Sequence, residues 1–272
     1  MPSARATPGE PIPSITFFFP AWNEEEIIER TVAAAQEAGD RLIADGEVGA
    51  YDILVVDDAS TDATGSILDQ LARAVPCLRV VHHPTNRKLG GSLKTGFATA
   101  AGDLVLYTDA DLPFDLVEVS KAVRLLRIYE ADVVSAYRHD RTGEGPRRLV
   151  YSYAYNHLVR LALGLRIRDV NFAFKLLRRE VLEKVELRSE GSFIDVELLA
   201  RAEADGYRVI QFGVDYFPRS RGVSTLSSWP VIRRIVGEGR SLFPELRAAR
   251  RGVRSARRQG TVSAPKVPVA GP

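Results

Sequence analysis

Residues 104–113 read LVLYTDADLP. Four apolar or aromatic residues, Leu104 to Tyr107, run through Thr108 into Asp109-Ala110-Asp111. A short apolar run of this kind is the pattern of a buried strand. In extended chain alternate side chains point the same way, so the two carboxylates are expected to face one point. Hard divalent cations take oxygen ligands, and magnesium is often held by one or two carboxylates plus the phosphates of a substrate. The plain alternative is a solvated turn in which Asp109 caps the next helix.

Outward from this run, the first 140 residues alternate β-rich and amphipathic stretches. Strands are expected at Ile15–Phe19, Asp52–Val56, Leu78–His82, Asp103–Thr108 and Asp132–Ala136, and helices at Glu24–Ala44, Ala63–Ala74, Gly91–Ala101 and Leu116–Tyr129. The second half is less regular, with helices expected at Arg147–Leu163 and Asp195–Asp205 and strands at Asn171–Leu177 and Arg208–Phe217. Such alternation predicts an α/β fold with a mostly parallel sheet flanked by helices. Sheets of this class bind ligands at the carboxyl ends of their strands. Three polar clusters fall there: Asn23 to Glu25, Asp57 to Asp62, and Asp109 to Asp111. Helix capping accounts for Asn23, Ser60 or Asp62, but not for adjacent Asp57 and Asp58 at a strand end. Asp57 is a candidate acceptor for a base or ribose. Gly206 stands where a helix C-cap glycine is expected. His82 and His83 are adjacent on a strand, so they face opposite ways and are not expected to share a metal.

FFFPAWNEEE, VVDDASTDAT and TDADLP, in this order and spacing, resemble the nucleotide-sugar domain of family 2 glycosyltransferases, which have the GT-A fold. The resemblance implies that Pro20, Ala21, Asn23, Glu24, Asp57 and Asp109 line a nucleotide pocket, with Asp58 beside them, and that Asp111, with Asp109, binds Mg2+ or Mn2+. In NRKLGGSLKTGF, Lys88 replaces the family's first glycine, Gly90 keeps the second, and Lys94 faces either solvent or phosphate. Pro113 stands where some relatives carry a third metal ligand. DVNFAFKLLRREVL and FIDVELLARAEADGYRVIQFGVDYFPRSRGVST narrow the likeness to polyprenyl-phosphate hexose synthases, including the dolichyl-phosphate mannose and glucose synthases. That likeness implies that Arg138, with Arg147 or Arg148, faces an acceptor phosphate. It also implies that Arg219, with Arg221 as a rival and Ser224 nearby, contacts the diphosphate.

The implied reaction is inverting transfer of a hexose from GDP-mannose or UDP-glucose to a polyprenyl phosphate. Asp111 and Arg138 are its expected catalytic residues. Two alternatives are a transfer to a soluble or glycan hydroxyl and a silent nucleotide-sugar-binding module. A hydroxyl acceptor requires a base, for which Asp195 is the nominee. Otherwise Asp195 and Glu197 are helix-start carboxylates or orient the acceptor or Arg138, and Asp169 is structural.

Composition fits one globular domain: 272 residues, 45% hydrophobic, 26% charged and a formal charge of +2. Residues 1–13 read as a disordered lead-in, 14–228 as the GT-A domain, 229–258 as a basic amphipathic helical region and 259–272 as a disordered tail. The single cysteine, Cys77, is expected to be a buried small hydrophobe and excludes an intrachain disulfide. No run of about 18 apolar residues appears. From Arg233 to Arg258 nine arginines face two glutamates, with Leu242, Phe243, Leu246 and Val253 interleaved. This favours peripheral contact with an anionic membrane surface, on the cytoplasmic side, rather than nucleic acid, which would call for stacking aromatics.

Overall fold

A computed structural model of the chain describes residues 10–139, 146–216, Gly237 and 242–248, with the backbone alone for 146–151. The elements in order are β1 (Ile12–Ala21), α1 (Ile28–Ala44), β2 (Val48–Asp57), α2 (Thr64–Ala74), β3 (Leu78–His82), α3 (Lys88–Thr99) and β4 (Leu104–Thr108). There follow α4 (Glu118–Ile128), β5 (Val133–Arg138), α5 (Pro146–Leu163), β6 (Phe174–Arg178), α6 (Arg179–Lys184), α7 (Ile194–Ala204) and β7 (Val209–Val214). The strands form one sheet in the order β3-β2-β1-β4-β6-β5-β7. Every pairing is parallel except those of β6, which runs against β4 and β5.

Both faces of the sheet are covered, so its strands are apolar on both sides. Successive residues of β1 show the division: Phe17 and Phe19 enter a core shared with α1, α2 and α4. Phe18 enters the opposite core with α3, α5, α7 and the helical segment 242–248. The chain leaves β1 toward β2 and β3, then returns to place β4 on the other flank. The carboxyl edge between β1 and β4 is thus the topological switch point, where open sheets of this kind bind ligands.

Three expectations need correction. The first helix begins at Ile28, not Glu24, because the intervening backbone is bound to a neighbouring loop. β1 begins at Ile12, inside the expected lead-in, where Ile12 is buried and pairs with Val48. Cys77 is half-buried, since β3 lies at the edge of the sheet. Gly206 ends α7 with φ +90°, as a C-cap glycine should. Leu242 and Leu246 are buried in the second core, so these two apolar residues of the basic region face the domain. Val253 and the 259–272 tail lie outside the described residues.

Candidate active site

β4 stops pairing at Thr108, opposite Phe174 of β6. Ala110 and Asp111 form a turn, and Leu112 takes φ +50°. The strand alternation expected to align Asp109 and Asp111 is therefore absent, and a turn sets their positions. That turn is fastened from below. Thr31 of α1, fully buried, donates its hydroxyl to the Ala110 carbonyl at 2.6 Å. Both carboxylates act on one neighbour. The Tyr107 phenol is held well above its usual range, first by burial, then by Asp195, Asp109 and Asp111.

The loops after β1 and β2 are tied into one surface beside this turn. The Asn23 amide donates to Ser60 Oγ at 2.9 Å, and Asn23 Oδ1 accepts the Thr61 N–H at 2.8 Å. The Glu24 amide donates to Thr64 Oγ1 at 2.8 Å, and Glu25 Oε2 accepts the Ala63 N–H at 2.7 Å. Asn23 is thus a cross-loop clamp at φ +57°, not a helix cap. Pro20 and Ala21 pair with Val56 and Asp57 of β2, and the Asp58 amide donates to the Ala21 carbonyl.

Asp57 and Asp58 are each 4% exposed and point to opposite sides of β2. Asp57 Oδ1 accepts the Ser60 N–H, and Oδ2 meets His82 Nδ1 at 2.8 Å. Asp58 Oδ1 accepts the Arg87 N–H and meets His83 Nδ1 at 2.7 Å, while His83 Nε2 reaches Thr95 Oγ1. The two histidines do face opposite ways. Their carboxylate partners were not legible, because nothing in the sequence pairs β2 with β3 residue by residue.

The altered glycine loop resolves simply. Lys88 takes φ +61°, the conformation a glycine would supply. Left-handed backbone costs a side chain roughly 1–2 kcal/mol, about half of which is offset by the extra chain entropy lost by glycine. Lys88→Gly is expected to raise unfolding stability by about 0.5–1 kcal/mol, read from the denaturant midpoint. An unchanged or lower midpoint would show that Lys88 is not strained. Gly90 serves packing: a Cβ there would lie 2.5 Å from the Glu190 carbonyl carbon. Lys94 Nζ is 2.9 Å from Glu190 Oε1 and 3.2 Å from the Arg188 carbonyl oxygen, so it ties α3 to that loop.

In the second half, Arg138 ends β5 and makes a two-point pair with Asp169, at 2.7 and 3.0 Å. Its guanidinium also lies over the rings of Phe172 and Tyr216. Asp169, expected to serve the backbone, is therefore the residue that orients Arg138. Asp195 does not take that part. It is 3% exposed and meets Lys175 Nζ at 2.8 Å. Lys175, fully buried and paired across the strands with Tyr107, was not singled out from the sequence. Glu197, also fully buried, accepts the Arg188 and Ser189 amides and Arg201 Nε. The side chains of Arg147 and Arg148, and all of Arg219, Arg221 and Ser224, lie outside the described residues.

The family model described as Glycosyl transferase family 2 matches residues 16–186. Glycosyltransferase AglD of Haloferax volcanii is 32% identical over 234 residues, which are 84% of this chain but only 36% of that longer protein. Polyprenol monophosphomannose synthase of Mycolicibacterium smegmatis is 32% identical, with 76% of this chain and 79% of the relative covered. Undecaprenyl-phosphate mannosyltransferase of Micrococcus luteus is 29% identical, with 80% and 88% covered. Among solved structures, glucosyl-3-phosphoglycerate synthase of Mycobacterium tuberculosis shares the fold, with TM-score 0.62, 24% identity and coverage of 83% and 79%. The acidic turn at the switch point therefore sits in a glycosyltransferase framework, and the chain belongs to glycosyl transferase family 2.

Proposed function

We propose that the chain transfers a hexosyl group from a nucleotide-diphosphate sugar to a phosphate-bearing acceptor at the carboxyl edge between β1 and β4. The observation that carries this reading is the Asp109-Ala110-Asp111 turn, fixed at the switch point by Thr31. Its donor set fits Mg2+ or Mn2+. Both side chains are hard oxygen donors of the kind these ions take; among the described residues no group of three or more His, Cys, Asp or Glu could hold a metal ion, so substrate and water oxygens would have to complete the site. Pro113 offers no side-chain ligand. Such a site leaves room for water and substrate phosphates. The ion, when bound, neutralises charge developing on the departing diphosphate.

The chain's own residues do the positioning. Pro20, Ala21, Asn23 and Glu24 form one wall of the proposed nucleotide pocket. Asp57, held by His82, forms its floor, and Asp58, held by His83 on the opposite side of the strand, fixes the loop after β2 beside it. We assign the diphosphate to Arg219 or Arg221, with Ser224. The acceptor's phosphate is assigned to Arg138, with Arg147 or Arg148, since the planar guanidinium pairs with two phosphate oxygens at once. The acceptor oxygen then attacks the anomeric carbon as the bond to the diphosphate breaks, with inversion; a hydroxyl acceptor gives its proton to a base or to the departing diphosphate, whereas an ionised phosphate acceptor has none to lose.

Two acceptors share this phosphate chemistry. We put first a soluble acceptor glycosylated on a hydroxyl. The solved neighbour that overlays most of this chain was obtained with Mn2+, UDP-glucose and phosphoglyceric acid. Polyprenyl phosphate, the expectation placed first from the sequence, is the second reading. It draws on the two mannosyl-transferring relatives and on one structural observation. Asp195, the nominated base, is buried against Lys175, and a phosphate nucleophile needs no base. The test is incubation of labelled UDP-glucose and GDP-mannose with phosphoglycerate and, separately, with a polyprenyl phosphate, in Mn2+. Label in the aqueous product supports the first reading, and label in the organic phase supports the second. Label in neither removes both acceptors.

Arg138→Ala is expected to raise the acceptor KM by about 10–100-fold, the worth of one charged hydrogen-bonded pair, while donor affinity changes little. Initial rates against each substrate check this, with Arg138→Lys as the variant that keeps a cation beside buried Asp169 and a thermal melt of each to separate lost stability from lost acceptor binding. Equal losses for donor and acceptor would remove Arg138 from the acceptor site.

A further inference from the structure

We infer that His82 is a positioning residue for the donor nucleotide, holding the Asp57 carboxylate in the orientation from which it receives the base; this rests on the nucleotide pocket proposed above. β3 is an edge strand beside β2, in a register that sets His82 against Asp57. Both are the last residues of their strands, at the carboxyl edge of the sheet. Side chains alternate along a strand. Asp57 and His82 therefore share the face of Val55 and Val80, which pack into the core under α1 and α2.

The carboxylate is held from several sides. Its Oδ1 accepts the Ser60 N–H at 3.0 Å, and its Oδ2 lies 2.8 Å from His82 Nδ1. An ionised carboxylate only accepts hydrogen bonds, so Nδ1 is the donor. The other ring nitrogen, Nε2, lies 3.4 Å from Asp69 Oδ1 of α2, which braces the ring. Gly65, in the first turn of α2, leaves the pair its room. A Cβ there would stand 3.2 Å from Asp57 Oδ2 and 3.8 Å from the His82 ring. Helix capping does not account for this arrangement, because the amides that open α2 are served elsewhere. Glu25 accepts the Ala63 N–H and Asp62 the Thr64 N–H. A carboxylate offers about four accepting positions, of which Ser60 and His82 use only part. The remainder suits the N–H groups on the edge of a uracil or guanine ring. Without the imidazole donor the carboxylate is free to turn about its last bond, a torsion with broad preferences.

The test is calorimetric titration of the full chain with UDP and with GDP in the presence of Mn2+. His82→Phe keeps a ring on an edge strand where the side chain is 39% exposed, so the variant should melt like the parent. Its affinity for the nucleotide should fall about tenfold, as for the loss of a hydrogen bond to a charged group. His82→Asn, whose amide nitrogen can stand in for Nδ1, should recover most of that loss, which a role in packing alone would not give. On an Asp57→Ala background His82→Phe should cost no more than about twofold, since the two residues act through one contact. The inference is overturned if His82→Phe binds like the parent, if His82→Asn binds no better than His82→Phe, or if the full loss persists without Asp57. Those results leave the pocket standing wherever Asp57→Ala itself weakens binding. If Asp57→Ala binds both nucleotides like the parent, or the parent binds neither, the proposed pocket fails and the role of His82 fails with it.

Discussion

Asp111→Ala is expected to lower sugar transfer by about 10³-fold or more, the equivalent of roughly 4 kcal/mol of transition-state stabilisation. The departing diphosphate gains charge as its bond to the sugar breaks, and Asp109 and Asp111 are the residues that would hold a divalent ion able to neutralise it. Removing one would leave the protein a single carboxylate for the ion. The backbone should survive, because the turn is held through the Ala110 carbonyl by Thr31 and not through the Asp111 side chain. The variant should therefore melt like the parent while requiring far more Mn2+ for whatever transfer remains. Asp111→Asn should fall between the two, keeping an oxygen but losing the charge. Transfer within a few-fold of the parent at limiting Mn2+ would place the ion elsewhere and remove the premise of the proposed function.

Much of the frame was legible because it follows from local pattern. Leu78–His82 was bounded correctly, and the three polar clusters do lie after β1, β2 and β4. Apolar runs between amphipathic stretches admit few other arrangements. What was missed is tertiary. The direction of β6 cannot be read from Phe174–Arg178, since an apolar strand looks the same in either sense; only its neighbours make it antiparallel. α6, with six residues, is too short to show a period. Asn23 looked like a cap because its type is favoured there, but its partners Ser60 and Thr61 stand far along the chain. The Asp57–His82 and Asp58–His83 pairs join two strands whose register no local rule fixes. Asp109 and Asp111 were placed by an alternation that ends one residue too early, yet their sheet edge was right, because strand order and not side-chain direction determines it.

The second large effect concerns Lys175, which the sequence shows only as a charge inside a strand. Its side chain is 0% exposed and that of its partner, Asp195, is 4%. A second bond, to the Phe172 carbonyl at 2.8 Å, helps to hold the ammonium. Burial raises the Asp195 carboxyl above its ordinary range, and Lys175 is the group that opposes this. Lys175→Met is expected to cost about 3–5 kcal/mol of unfolding stability near neutral pH, because one charge is then buried alone. An acid whose folded pKa is raised stabilises the fold while protonated and loses that contribution as pH rises. With its cation gone, Asp195 should make the deficit shrink as pH is lowered from about 7 toward 5. Lys175→Met/Asp195→Leu should recover most of the loss, since apolar replacements of a buried pair are often neutral. Denaturant melts of the three variants at two pH values decide the matter. A single-variant loss below about 1 kcal/mol, or a double variant no better than the single, would mean that the pair does not hold this region. The double variant also separates packing from chemistry. A hydroxyl acceptor that relied on Asp195 as its base would lose transfer even where stability returned, whereas a phosphate nucleophile would keep it.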